Sequence, residues 1–279
     1  MNELAAGNRI VCDGEACTVR ELRDRGAQRY SRWRGRRIAL NTDSHANEVA
    51  AVLAARTIGF ELAIMPSSRF SREWRERLSP VVHTLARDAC GSIREWSGGA
   101  ATPATSSGMW LFTSGTSGDP KPVRYAFDAL NTFGGIQPTS HRWLMTYLSG
   151  TYAWIQLVML CLHVSGQTLV FPRSLDADEA LGAMDEHRVT AVSSTPTFWR
   201  YLMLTVGRDR LRTLSIGQVT LGGEHADQEL LDELNDMFPQ AAIAHTYAQG
   251  SMKGGFSFTL GEDRPNVRVK HLSQKAALE

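Results

Sequence analysis

The chain has 279 residues, of which 43% are hydrophobic and 21% charged, and its formal net charge is +1. These proportions are those of a soluble globular protein of one or two domains with enough apolar material for a full core. A charge so near zero supplies no field for nucleic acid or a membrane surface, so recognition has to come from a local site.

The longest apolar run, Trp154 to Val164, is about half of the ~20 residues a membrane span needs, and Gln156 and His163 interrupt it, so it reads as a buried helix. The first residues, Met-Asn-Glu-Leu-Ala-Ala, have neither a basic start nor an apolar stretch before a cleavage site, which points to a cytoplasmic address. Cys12, Cys17, Cys90 and Cys161 are scattered, with no Cys-x-x-Cys pair and no histidine at ligand spacing; free thiols are expected rather than zinc, with Cys161 in the core. His45, His163 and His245 read as surface or satisfied core groups rather than catalysts.

In chain order, β-like runs at Arg37 to Leu40, Leu62 to Met65 and Met109 to Thr113 alternate with helical stretches, the mark of an α/β sheet covered by helices. Ser44 is placed to cap a helix carrying Val49, Val52 and Leu53, which Gly59 ends, and Pro66 stops the second strand. Gly91 to Ser107, rich in Gly, Ser, Ala and Thr, reads as a linker, giving an N-terminal subdomain over 1–105, a second over 106–260 and a tail over 261–279. Strands follow at Val123 to Ala126, Trp143 to Leu148 and Thr168 to Phe171, and Asp176 is placed to cap a helix reaching about His187. Val189 to Ser193 reads as a strand, Ser194-Thr195-Pro196 starts a helix toward Leu204, and strands Val219 to Leu221 and Ala242 to Ala244 flank an amphipathic helix, Gln228 to Phe238.

The most informative segment is Leu111-Phe112-Thr113-Ser114-Gly115-Thr116-Ser117-Gly118-Asp119-Pro120-Lys121-Pro122, where hydroxyl residues and glycines leave a strand end and run into one lysine. Glycines let backbone N–H groups approach anionic oxygens, the hydroxyls donate hydrogen bonds, and Lys121 adds a point charge, a combination suited to a polyphosphate. It is not the Walker loop, because Asp119-Pro120 separates Gly118 from Lys121, and a P-loop ATPase fails on that spacing. By composition alone the segment also suits a flexible Ser/Gly surface loop.

This segment resembles the signature of the adenylate-forming (AMP-binding) superfamily of acyl- and aryl-CoA synthetases, nonribosomal peptide adenylation domains and luciferases. That signature is Thr/Ser-Ser-Gly-Thr-Thr/Ser-Gly-x-Pro-Lys, matched from Thr113 to Lys121 at every position. The resemblance implies that Thr113, Ser114, Gly115, Thr116, Ser117, Gly118 and Lys121 hold the β- and γ-phosphates of ATP. It implies an α/β fold of layered sheets flanked by helices, the N-terminal large-domain part of the ligase fold, lacking the small C-terminal domain.

Two further segments fall in the order the resemblance implies. Leu221-Gly222-Gly223-Glu224 looks like the family's Gly-Gly-Glu segment, whose backbone lies along the adenine; it also suits a helix start with Glu224 near the positive end of the dipole. Tyr247 matches the aromatic that flanks the adenine. There the sequence departs from the pattern: the family's phosphate-contacting threonine is Gly250 and its magnesium glutamate is Ser251, so a weakened Mg²⁺ site is expected, with Glu262 and Asp263 the next acidic groups. Val192 to Phe198 resembles the turn beside the acyl pocket, which suggests Thr195, Tyr152, Trp154 and Phe198 as lining, although Ser/Thr-Pro is also ordinary capping and aromatics at helical spacing are commonly core.

No Tyr/Phe-Arg-Thr-Gly-Asp segment, hinge or catalytic lysine of the family is found, and 261–279 does not resemble it. The resemblance therefore implies ATP-dependent activation of a carboxylic acid as acyl-AMP, for transfer to coenzyme A or a carrier protein, by an incomplete enzyme with little or no activity alone. The alternative is a non-catalytic nucleotide-binding or scaffolding module acting with a partner chain.

Overall fold

The computed structural model describes residues 4–12, 14–66, 71–79, 81–100, 102–104, 106–113, 121–133, 139–247 and 257–258; the side chains at 74, 77, 113, 121, 246, 247, 257 and 258 are outside that description. Two compact units are formed, Met1–Gln137 with Leu148–Ser165, and Pro138–Tyr147 with Gly166–Glu279.

The first unit opens with an antiparallel hairpin, β1 (Arg9–Cys12) and β2 (Glu15–Thr18). Thr18 then caps α1 (Val19–Tyr30): its Oγ1 accepts from the Glu21 N–H at 3.2 Å, and the Glu21 carboxylate accepts from the Thr18 N–H at 2.7 Å. This reciprocal arrangement satisfies two otherwise orphaned donors. Next come β3 (Arg37–Thr42) and α2 (His45–Ala54), which Ser44 caps as its position predicts, its Oγ accepting from Asn47 N–H. Val49 to Ala54 are all buried, as befits a helix apolar on every side. A π-helical turn, Ala55–Gly59, leads to β4 (Glu61–Ile64). The unit continues through α3 (Arg72–Leu78), β5 (Thr84–Ala89), β6 (Ser92–Ser97), β7 (Gly108–Thr113), β8 (Lys121–Ala126), α4 (Phe127–Leu130) and α5 (Tyr152–His163).

Its sheet has the order β6-β5-β3-β4-β7-β8; the four inner strands are parallel and the two outer pairs antiparallel. Leu78 brings α3 onto a buried cluster of Ala39, Ala63, Met65, Val82, Leu85 and Phe112. Two buried carboxylates lock the frame. Glu61, on β4, accepts from Trp110 Nε1 at 2.9 Å and Arg124 Nε at 2.8 Å, while Arg37 Nε stands 3.0 Å away as an ion pair, so one side chain joins β3, β7 and β8. Asp88, fully buried on β5, accepts from Tyr30 OH and Arg29 Nε, each at 2.6 Å, and so ties α1 to the sheet. Burial and the Asp88 charge push the Tyr30 hydroxyl well above the usual tyrosine value.

His163, at the end of α5, is half-buried with Nε2 2.5 Å from Arg56 Nη1. Burial, helped by the Arg56 charge and opposed by Asp128, pushes its pKa down to about 4 from 6.5. The unfolded chain therefore binds this proton more readily, so the stability His163 contributes is complete above pH 6.5 and is lost as pH falls toward 4. Unfolding midpoints measured from pH 7 to 4 are expected to fall less steeply for His163→Gln than for the parent; identical slopes would contradict this assignment.

The second unit comprises β9 (His141–Met145), β10 (Gln167–Val170), α6 (Ala177–Glu186), β11 (Ala191–Ser194), α7 (Pro196–Thr205), α8 (Arg208–Leu211), β12 (Gln218–Gly222), α9 (Gln228–Met237), β13 (Ala242–Tyr247) and β14 (Ser257–Phe258). Within this unit the strand order is β14-β13-β12-β11-β9-β10, parallel except for β14 against β13. Leu144, Leu169, Val170, Val192, Val219 and Leu221 are fully or almost fully buried, as in parallel strands covered on both faces.

Several sequence expectations need correction. The stretch read as a linker contains β6, paired along its whole length with β5, and β7 beyond it joins β4 in the same sheet, so the compact units do not follow the 105/106 division. Asp176 precedes α6 without capping it; its carboxylate accepts from Ser174 Oγ at 2.7 Å instead. Val189 is not yet strand, because its N–H closes the preceding helix on Met184 O at 2.9 Å, and the strand expected to reach Leu148 ends at Met145. The apolar run is indeed a buried helix, with Cys161 1% exposed; none of the four cysteines forms a disulfide, and Cys90 alone of them is exposed. Among the described residues no helix is long and apolar enough to cross a membrane.

Candidate functional site

Thr113 ends β7 and Lys121 begins β8, and the two stand opposite each other in antiparallel register. Ser114, Gly115, Thr116, Ser117 and Gly118 lie outside the described residues, as do the side chains of Thr113 and Lys121. The seat from which this segment springs is well defined. Trp110 and Arg124, one from each strand of the hairpin, converge on buried Glu61. Phe112 N–H donates to Gly150 O at 3.5 Å. Gly150 has φ +78, and a β-carbon there would lie 2.1 Å from Ile64 O, so only glycine allows this close approach to β4.

In the second unit, β9, β11, β12 and β13 run parallel, so their carboxyl ends share one edge, the edge where open α/β sheets bind ligands. Thr146 and Tyr147 follow β9, Ser193, Ser194 and Thr195 end β11, Gly222, Gly223 and Glu224 end β12, and His245, Thr246 and Tyr247 end β13. Gly223 turns with φ +82, leaving the bare backbone facing the Thr195 methyl group. Thr195 caps α7, its Oγ1 accepting from Phe198 N–H at 3.3 Å. The Glu224 carboxylate accepts from Thr197 N–H at 3.1 Å and Thr197 Oγ1 at 2.6 Å, placing an anion at the positive end of α7. The helix after β12 is capped by Asp227 instead, its Oδ1 accepting from Leu230 N–H at 2.9 Å.

Sequence reasoning overlooked part of this edge. His245 is buried, as a satisfied core group should be, with Nε2 3.1 Å from Glu224 O and its ring edge-on to His225. Tyr147 OH stands 3.2 Å from Ser193 Oγ, Thr146 Oγ1 donates to Ser193 O at 2.6 Å, and burial pushes the Tyr147 hydroxyl up to about 12, keeping it a donor at neutral pH. Ser194 Oγ is buried with no hydrogen-bond partner among the described residues. The usable signal was positional: polar residues directly after an apolar parallel strand point into this edge.

The residues suggested as acyl-pocket lining come from both units. Thr195 and Phe198 lie at the start of α7, with Phe198 9% exposed and edge-on to Trp199, whereas Tyr152 and Trp154 belong to α5 in the other unit. Trp154 is fully buried; Tyr152 is half-buried with its ring 5.7 Å from Tyr125, and burial pushes its hydroxyl up to about 12. Tyr247 closes β13, but its side chain and Ser251 lie outside the description. Among the described residues no three His, Cys, Asp or Glu side chains could together hold a metal. The carboxylate at this edge, Glu224, is engaged by Thr197, so the described donors do not fit Mg²⁺, which favours hard anionic oxygens.

A family model described as AMP-binding enzyme matches residues 99–272, more than half of the chain. The chain belongs to the AMP-binding enzyme family. Among its relatives, the 2-succinylbenzoate–CoA ligase of Bacillus pumilus (strain SAFR-032) is 26% identical over 251 residues, 77% of this chain and 49% of that protein. The AMB antimetabolite synthetase AmbE of Pseudomonas aeruginosa is 28% identical over 224 residues, 70% of this chain and 10% of that one. This AMP-binding chain thus spans about half the length of the first relative and far less of the second. In fold it is similar to the crystal structure of IdnL1, with TM-score 0.69 and 20% identity over 90% of this chain and 60% of that one. It is equally similar to the Klebsiella oxytoca NpsA N-terminal subdomain in complex with anthranilyl-AMSN, with TM-score 0.69 and 20% identity over 87% of this chain and 70% of that one.

Proposed function

We propose that this chain carries the nucleotide-handling part of an enzyme that activates a carboxylic acid as its acyl-AMP for transfer to a thiol, either coenzyme A or a carrier-protein arm. The observation that carries the reading is the full match of Thr113 to Lys121 to the family's phosphate signature, in a segment that springs from the braced β7–β8 hairpin. In this reading the hydroxyls and backbone of residues 113–118 and the Lys121 ammonium hold the β- and γ-phosphates. The Gly222-Gly223 backbone lies along the adenine with Tyr247 against the ring, and the Thr195 turn leaves room for the acid. The substrate carboxylate attacks the α-phosphorus in line and pyrophosphate leaves, a step governed mainly by positioning and electrostatics. Four cysteines outside any disulfide fit a reducing, cytoplasmic compartment.

Gly250 and Ser251, standing where the family has a threonine and a glutamate, favour a second reading: a nucleotide-binding or scaffolding module that leaves catalysis to a partner chain. Under either reading the 279-residue chain binds ATP. Calorimetric titration is expected to show an affinity at least about 100-fold weaker for Lys121→Ala/Thr116→Ala than for the parent, since hydrogen bonds to charged groups contribute about 1.5–3 kcal/mol each. Unchanged affinity in a folded double variant would remove the nucleotide from this loop. Pyrophosphate exchange with a panel of carboxylic acids tests the second reading: exchange near background is expected for this chain alone, and robust exchange with any acid would rule that reading out.

A further inference from the structure

Besides Glu61 and Asp88, the first unit buries one more carboxylate among its described residues, that of Glu48 on α2, whose side chain is 4% exposed. The three are partnered differently. Glu61 meets two guanidinium groups and an indole N–H, and Asp88 a guanidinium and a phenol. Glu48 is bonded to no arginine or lysine among the described residues: its Oε2 accepts from Ser149 Oγ at 2.9 Å and lies 2.8 Å from Nδ1 of His45, itself 37% exposed. No described group hydrogen-bonds to its Oε1. The positive end of α2 offsets part of the cost of burial, because Glu48 stands in the first turn. A buried anion is otherwise costly unless a cation and further hydrogen bonds meet it, and one oxygen of this carboxylate is unmet.

The place of this carboxylate narrows the cation. Strands β3, β4 and β7 run parallel, so their carboxyl ends form one edge, and α2 starts there, directly after β3. Ser149, bonded to Glu48, precedes Gly150, which packs against Ile64 at the end of β4 and accepts from the N–H of Phe112, the residue before Thr113. The unmet oxygen thus belongs to the edge from which the phosphate segment springs. Among the described residues no three His, Cys, Asp or Glu side chains converge, so a metal cation lacks a ligand set here. We propose that Glu48, steadied by Ser149, receives the ammonium group of the acid substrate, so that the class activated is an amino acid rather than a fatty or unsubstituted aryl acid. This inference rests on the acyl-AMP reading above. An ammonium supplies the fixed cation that Glu48 lacks, and its three donors suit the unmet oxygen. A substrate charged at both ends is then gripped twice, its carboxylate toward the nucleotide and its ammonium toward α2. An alkyl chain laid against Glu48 would strip water from the carboxylate and return no partner, which selects against it.

The test is calorimetric titration of the full chain with matched pairs of acyl-sulfamoyl adenosines, stable mimics of an acyl-AMP. The leucyl, phenylalanyl and β-alanyl compounds are each compared with the counterpart in which hydrogen replaces the amino group. In at least one pair the amino member is expected to bind about tenfold tighter or more, as a hydrogen bond between charged groups provides. In Glu48→Gln, which keeps the size of the side chain and an acceptor for Ser149, the ratio of the two affinities is expected to fall below about twofold. A merely structural defect weakens both members alike and leaves that ratio standing. Ser149→Ala, expected to reduce the ratio at least about threefold, serves if Glu48→Gln does not fold. Pairs bound equally by the parent overturn the inference and leave the acyl-AMP reading in place, whereas no mimic bound by a folded chain overturns both. A ratio unchanged in Glu48→Gln puts the ammonium elsewhere and likewise overturns the inference.

Discussion

Glu61→Ala is expected to lower the stability of the chain by about 3–5 kcal/mol, the usual cost of removing one partner from a buried ion pair. The side chain is 1% exposed and meets Arg37, Trp110 and Arg124, so its loss takes a shared acceptor from two partly buried guanidinium groups and an indole N–H. Glu61→Gln keeps the volume and one acceptor, and should cost about half as much. Urea unfolding midpoints measure both. Because Trp110 and Arg124 belong to β7 and β8, both variants should also weaken ATP binding without altering any residue of the phosphate loop. An unfolding midpoint unchanged in Glu61→Ala would mean that the strands are held by other contacts.

Gly150→Ala is the second large effect. At φ +78 an L-residue costs roughly 1–2 kcal/mol by itself. The added methyl would also sit 2.1 Å from the backbone oxygen of Ile64, which has no room to yield inside β4. The segment around Gly150 must therefore lift away from the sheet and release the Phe112 N–H, for a total loss of at least about 3 kcal/mol. Thermal unfolding with and without ATP distinguishes two outcomes: a midpoint lowered in both conditions but still raised by ATP means a strained yet intact seat, whereas loss of the ATP-induced rise means that the hairpin has moved.

What was legible in the sequence was whatever local chemistry dictates. Runs such as Arg37-Ile-Ala-Leu and Val219-Thr-Leu show as strands because their apolar residues need cover, and Ser44 and Thr195 show as caps because a hydroxyl ahead of a helix has an immediate use. The family signature of Thr113 to Lys121 lies wholly in consecutive residues, and the family match bears out the resemblance drawn from it. What could not be read was whatever depends on distant partners. β5 contains Arg87 and Asp88, a poor advertisement for a strand until Arg29 and Tyr30 arrive to satisfy the buried carboxylate. β6, Ser92-Ile-Arg-Glu-Trp-Ser, was read together with the glycines, alanines and serines that follow it, and it shows as a strand only through its pairing with β5. Trp154 was offered as pocket lining although an aromatic at helical spacing is more often core, and in the fold it is fully buried. The Thr18/Glu21 capping box is the exception, a local signal that was present and passed over.

The distribution of the cysteines fixes how the protein responds to air. Cys12, Cys17 and Cys161 are sealed inside the fold, and Cys90 faces solvent. A folded chain therefore offers one thiol for exchange, and a single thiol forms a single bridge. Oxidation of the native protein ends at a linked pair of chains, and any longer disulfide-joined polymer is a sign that molecules have unfolded and released their interior sulfurs.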